Sequence, residues 1–225
     1  MTATILKEAM RTLVSLWLCT IVLCGLSKES EAAQGCASDT IGIDVSLANN
    51  YSGAVLGECP AETFLAADTL LEFLRVWRAA SETDNVIGMH LYITDTRPWG
   101  RPDLTQILLD GPTIVHEFGD GIHPIEFKWE WDPPLVLPHK GLYAFFLMES
   151  PCVGFWDIYA SGNPALYTDG DMWFTSRSGC VLTPDMELNM FHYPQWDVVF
   201  QAGFCHDVAS STVRKTWGQL KMLYR

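Results

Sequence analysis

Residues 125–132 alternate without a break: Ile125, Phe127, Trp129 and Trp131 are apolar, while Glu126, Lys128, Glu130 and Asp132 are charged. A period of two puts the apolar set on one side of an extended chain and the charged set on the other, which predicts a β-strand with one dry and one wet face. That pattern belongs to an antiparallel sheet packed on one side only. Pro133-Pro134 follows, and because proline has no N–H for a ladder, the strand is expected to stop there.

Shorter runs repeat the logic at Met89–Thr94, Leu104–Leu109, Leu142–Glu149, Phe155–Tyr159 and Trp196–Phe204. Turn residues separate them: Asp110-Gly111-Pro112, Gly119-Asp120-Gly121, His139-Lys140-Gly141 and Ser161-Gly162-Asn163-Pro164. Glycine tolerates positive φ and proline fixes its own, so these are stops. Many short strands so spaced predict an all-β sandwich or barrel. Asp68–Ala80 fits two periods. Leu70, Leu74 and Trp77 make a helical stripe, with Asp68 as N-cap, whereas Phe73, Arg75 and Trp77 make a strand face. The all-β surroundings favour the strand. Residues 34–58 read as a loosely structured lead-in with at most one or two strands.

The first 33 residues predict the compartment. Lys7 and Arg11 form a positive start, Leu13–Gly25 an apolar run, and Ser30-Glu31-Ala32 a small-x-small cleavage site. The run is shorter than the ~20 apolar residues of a membrane span. A cleaved secretory signal over residues 1–33 and a secreted or envelope location are expected. The signal carries equal numbers of acidic and basic groups, so its loss leaves the net charge at −13. An acidic chain of this kind repels polyanions, and nucleic acid is excluded as a partner.

Export makes disulfides the default for Cys36, Cys59, Cys152, Cys180 and Cys205. Cys152 and Cys180 flank a turn-rich segment and are expected to pair. Cys59 with Cys205 would join the first and last regular segments; the alternative pairs Cys36 with Cys59 and leaves Cys205 free. No CxxC spacing points to zinc.

Within residues 59–207, Phe64-Leu65-Ala66-Ala67-Asp68, Val76-Trp77-Arg78, Phe118-Gly119-Asp120-Gly121-Ile122-His123-Pro124, Asp132-Pro133-Pro134, Gly141-Leu142-Tyr143, Trp173-Phe174-Thr175 and the cysteine placement stand together. In these the chain resembles exported bacterial jelly-roll domains, similar to the sandwich modules of cell-surface and carbohydrate-binding proteins. The resemblance implies an antiparallel jelly-roll-like β-sandwich and secretion. Many modules of that type also carry a structural calcium, for which Asp120, Asp169 and Asp171 are the candidates here, calcium being a ligand of hard oxygens. No other cofactor is expected.

Nine tryptophans are many for 225 residues. Those in charged alternation, Trp129 and Trp131, are expected in the core. Trp99 sits in the loop Arg97-Pro98-Trp99-Gly100-Arg101-Pro102, and Trp173 lies between Asp171 and Arg177. An indole stacks on the apolar face of a sugar ring while nearby polar groups bind its hydroxyls, so Trp99, Arg97, Trp173, Asp171 and Arg177 are the candidate ligand contacts. No Gly-x-Ser-x-Gly or His-Glu-x-x-His pattern occurs.

The expectation is a non-enzymatic binding module for a carbohydrate or an envelope component. The alternatives are an exported hydrolase working through a carboxylate pair, and a purely structural surface protein. Residues 208–225 carry Arg214, Lys215, Lys221 and Arg225 and no acid, with Val213, Trp217, Leu220 and Tyr224 at helical spacing. This basic amphipathic tail, helical if ordered, suits a membrane surface or a protein partner.

Overall fold

The computed structural model describes residues 37–54, 58–79, 87–116, 122–150, 156–175 and 181–206. The chain divides into two compact units, Met1–Gly35 and Cys36–Arg225. The signal segment, Cys152, Cys180, Asp120, Arg177 and the tail 208–225 all lie outside the described residues.

The second unit is built of strands β1 (Ala37–Gly42), β2 (Asn50–Ala54), β3 (Pro60–Ala66), β4 (Leu70–Arg78), β5 (Ile87–Thr96), β6 (Pro102–His116), β7 (Ile125–Val136), β8 (Gly141–Ser150), β9 (Trp156–Gly162), β10 (Met172–Phe174), β11 (Phe191–Tyr193), β12 (Trp196–Val198) and β13 (Phe200–His206). One sheet runs β1-β13-β4-β9-β12, with β2 on β9 and β7 on β4; the other runs β11-β10-β3-β8-β5-β6. Both are antiparallel and together they form a β-sandwich consistent with a jelly-roll-like fold.

The aromatic side chains explain why the sheets close on each other. Phe64 on β3 has ring centroids of Tyr143, Phe145, Phe200 and Phe204 at 6.1, 6.2, 6.4 and 6.3 Å, and all five side chains are buried. Phe200 and Phe204 come from the opposite sheet, so this cluster joins the two layers. Burying each such ring contributes about 1.5–3 kcal/mol.

Within the stretch read from Asp68, Leu70–Arg78 resolves as a strand, β4. Phe73, Arg75 and Trp77 share its outer face, where the Arg75 guanidinium lies 5.7 and 5.3 Å from the two ring centroids and Lys128 Nζ lies 5.1 Å from that of Phe73. Gly203 opposes Phe73 in the ladder, and a Cβ there would come within 2.1 Å of the Phe73 ring. The missing side chain is what lets that ring lie across β13.

Trp129 is in the core as expected, its indole N–H donating to Pro112 O at 2.8 Å. The expected stop at Pro133-Pro134 is corrected: β7 continues to Val136. Phe73 pairs with Glu130 and Leu71 with Leu135, so residues 131–134 all face the single residue Glu72. The prolines sit in this bulge, where no N–H is asked of them.

Two strands of the seven-stranded sheet, β1 and β2, come from the stretch read as lead-in. β1 pairs with β13 from Ala37 opposite His206 to Gly42 opposite Gln201. His206 fastens this edge, its Nε2 on Asp39 Oδ2 at 2.5 Å and its Nδ1 on Asp68 Oδ2 at 3.0 Å. The Asp39 and Asp68 carboxylates hold the imidazole above its ordinary pKa. This contribution to stability is complete below about pH 6.5, where the unfolded imidazole is also protonated, and is lost as pH rises through the folded value.

Both expected pairings of Cys59 are corrected. Cys59 is a free, fully buried thiol, with burial pushing it up to about 12, while Cys205 is disulfide-bonded. Its position explains the difference: the Cys59 carbonyl and N–H are taken up by Thr175, which seats the residue inside a small apolar core instead of on the β13 edge.

Candidate functional site

The outer face of the six-stranded sheet is crossed by a strap, residues 181–190, which leads into β11. Its middle is a 3-10 segment, Pro184–Asn189, entered through Thr183 as N-cap with Pro184 at the first position, where the missing N–H costs nothing. Leu182 and Met186 pack down onto Leu104, Phe146, Trp173 and Cys59. Glu187 is thereby buried at the edge of the strap, and a buried carboxylate needs a counter-charge.

Arg97 and Arg101 supply it. Arg97 grips Glu187 with two nitrogens, Nε to Oε1 and Nη2 to Oε2 at 3.0 Å, and its Nη2 also lies 3.2 Å from Asp103 Oδ1. Arg101 donates to the Glu187 main-chain carbonyl. The turn between the two arginines is closed by its own backbone, Arg97 N–H to Arg101 O at 2.7 Å and Gly100 N–H to Arg97 O at 3.1 Å. A fork on a carboxylate is both strong and directional, so the turn is fixed at both ends.

Trp99 projects from this turn with 99% of its surface exposed, at φ 76° and ψ 17°. A left-handed backbone at a bulky residue costs on the order of 1 kcal/mol and persists only where the surroundings impose it. Here the two arginine clamps and Gly100, also at φ 76°, impose it. Leu188, adjacent to Glu187 on the strap, is 83% exposed, and Phe191 and Tyr193 further along are also exposed.

The candidate residues therefore separate. Arg97 and Trp99 stand together, with Arg97 acting as the clamp. Trp173 is only 8% exposed: its ring lies flat against His192 at 4.2 Å and 17°, and Asp171 Oδ2 is 3.2 Å from His192 Nε2. One face of Trp173 is thus covered by His192 of β11, which stands directly opposite it in the β10–β11 ladder. Asp169 is an exposed turn residue; among the described residues no group of three or more His, Cys, Asp or Glu side chains is arranged to hold a metal.

Sequence reasoning missed the strap itself, although Glu187 ties it to the Trp99 turn. The Thr183-Pro184 start was the available signal, since it marks a helical turn inside a stretch otherwise too short for one. No family model matches the chain, and no curated protein resembles it closely enough to show kinship.

Proposed function

We propose that the protein is an extracytoplasmic, non-enzymatic binding module that takes a glycan on the Trp99 turn. What carries this reading is the fully exposed indole held in a left-handed backbone by Arg97, Arg101 and Glu187. An apolar side chain left entirely in water contributes nothing to the core, and strained backbone concentrates where surroundings hold a group for use. The flat face suits a pyranose ring, and Leu188, next in sequence to the clamped Glu187, is exposed as well. The net charge of −13 favours neutral or cationic glycans over anionic ones.

A glycan array probed with the secreted domain tests this. The wild type is expected to retain one class of glycan, and Trp99→Ala to lose at least tenfold in affinity with an unchanged melting midpoint, since Trp99 buries no core surface. Retention of no glycan, or equal binding by Trp99→Ala, removes the reading.

A hydrolytic second reading has one observation behind it. His90 on β5 lies between Thr113 Oγ1, 2.8 Å from Nδ1, and Asp110 Oδ1, 2.6 Å from Nε2. Hydroxyl, imidazole and carboxylate in that order can activate an oxygen nucleophile. On this reading the protein turns over a chromogenic ester and Thr113→Ala abolishes the turnover; equal rates in both proteins dismiss it.

A further inference from the structure

Glu62 and Asp197 are withdrawn from solvent completely, each at 0% exposure. Glu62 shares the inward face of β3 with Phe64 and Ala66, so the same alternation that builds the core drives its carboxyl between the sheets. There its Oε2 accepts the Val198 N–H at 2.8 Å. Val199 N–H is spent on Tyr159 O of β9, and neighbouring N–H groups of a strand point opposite ways, so Val198 N–H faces the unpaired side of β12. Glu62 thus closes the edge of one sheet from within the other.

Asp197, one residue earlier, accepts Leu166 N–H at 2.5 Å and Tyr167 N–H at 3.0 Å, both on Oδ2, and so holds residues 163–171 against β12. Each carboxyl has one oxygen satisfied. The other, Glu62 Oε1 and Asp197 Oδ1, has no partner among the described residues. Ser161 Oγ, on the residue directly opposite Asp197 in the ladder, is buried and unpartnered too.

The charges bearing on Glu62 are negative: Asp197 from β12 and Asp171 at the start of β10. Tyr167, from residues 163–171, brings a phenol under the fields of Asp169, Glu62 and Asp197. From β8 the residue opposite Glu62 is Phe145, which carries no charge. His192 of β11 pairs with Asp171. A dry pair of carboxylates with only acids around it cannot hold two negative charges.

We propose that Glu62 and Asp197 form a buried site for a single proton, carried on Glu62 Oε1 and donated to Asp197 Oδ1, which bolts one sheet to the other and is released as pH rises. One proton converts two unsatisfied acceptors into a donor and an acceptor. Glu62 is its carrier because Asp197 already receives two backbone N–H groups, which favour the ionised form, and Glu62 receives one. Burial first, and then the Asp197 charge, push the Glu62 carboxyl well above the usual carboxylate range; burial also raises Asp197, against the pull of its two N–H groups. An unfolded glutamate ionises near about pH 4.3, so the contribution is complete below that and declines as pH rises towards the value at which Glu62 ionises in the fold.

Infrared spectroscopy and thermal melting of the full chain, between pH 5 and 9, test the site. The wild type is expected to show a protonated-carboxyl C=O band at pH 7 that Glu62→Gln lacks. Glutamine keeps both partners, its carbonyl for Val198 N–H and its amide for Asp197. Glu62→Gln is therefore expected to melt with the wild type at pH 5 and to lose less by pH 9, the share due to His206 remaining in both. Absence of the band from the wild type at pH 7 overturns the proposal, whether or not the variant folds. So does an equal alkaline loss in Glu62→Gln. A rise in the wild-type midpoint on adding calcium chloride at pH 9, absent in Glu62→Gln, would assign the pair to a cation and also overturn it.

Discussion

Phe64→Ala is expected to lower the free energy of unfolding by about 3–5 kcal/mol, the range for an aromatic side chain cut from a tightly packed core. The ring is fully buried and bounded by four aromatic rings from both sheets, which cannot collapse together without moving their strands. Set against a typical 5–15 kcal/mol for a whole domain, the loss removes from about a fifth to all of the stability. Urea titration measures it as a lower midpoint at unchanged slope. A loss under about 1 kcal/mol would mean that the cluster does not join the sheets.

Glu149→Ala is expected to cost a similar amount, about 3–5 kcal/mol, for a different reason. Arg78 is 2% exposed and its Nη2 lies 3.5 Å from Glu149 Oε1, at 8% exposure. Removing the carboxylate takes from a guanidinium held in the interior the counter-charge that Glu149 supplies, while the half-buried Asp157, on which Arg78 also acts, remains. The double replacement Arg78→Met, Glu149→Leu is expected to recover most of the loss, because it removes the charge together with its partner. Chemical denaturation of the wild type, Arg78→Met, Glu149→Leu and the double variant closes the cycle; a double variant as unstable as Glu149→Leu would refute the ion pair's part in it.

The strands were legible wherever alternation was strict, as at Ile125–Asp132, because one side of each sheet faces the core and the other does not. The choice of strand for Asp68–Ala80 rested on its surroundings, and the outer face of Phe73, Arg75 and Trp77 bears it out. The continuation of β7 past Pro133-Pro134 was not legible, since the bulge that absorbs the prolines is a property of the pairing with β4. Trp99 could be read from its loop, whereas the cover over Trp173 comes from His192, nineteen residues on, which the pairing of β10 with β11 sets directly opposite it. Cys59 was mispaired because cysteine spacing says nothing about which face of a strand buries a thiol. Glu62 left a usable trace: it falls in step with Phe64 and Ala66, and a charge on the apolar phase of a strand is a buried charge.

The ladder between β1 and β13 sets Ala37 directly across from His206, one strand spacing of about 4.8 Å away. Entry and exit of this sandwich therefore share a doorway. A protein engineer could splice residues 37–206 into a surface loop of an unrelated host without prying that loop apart, or join the two ends by a short linker and reopen the ring elsewhere.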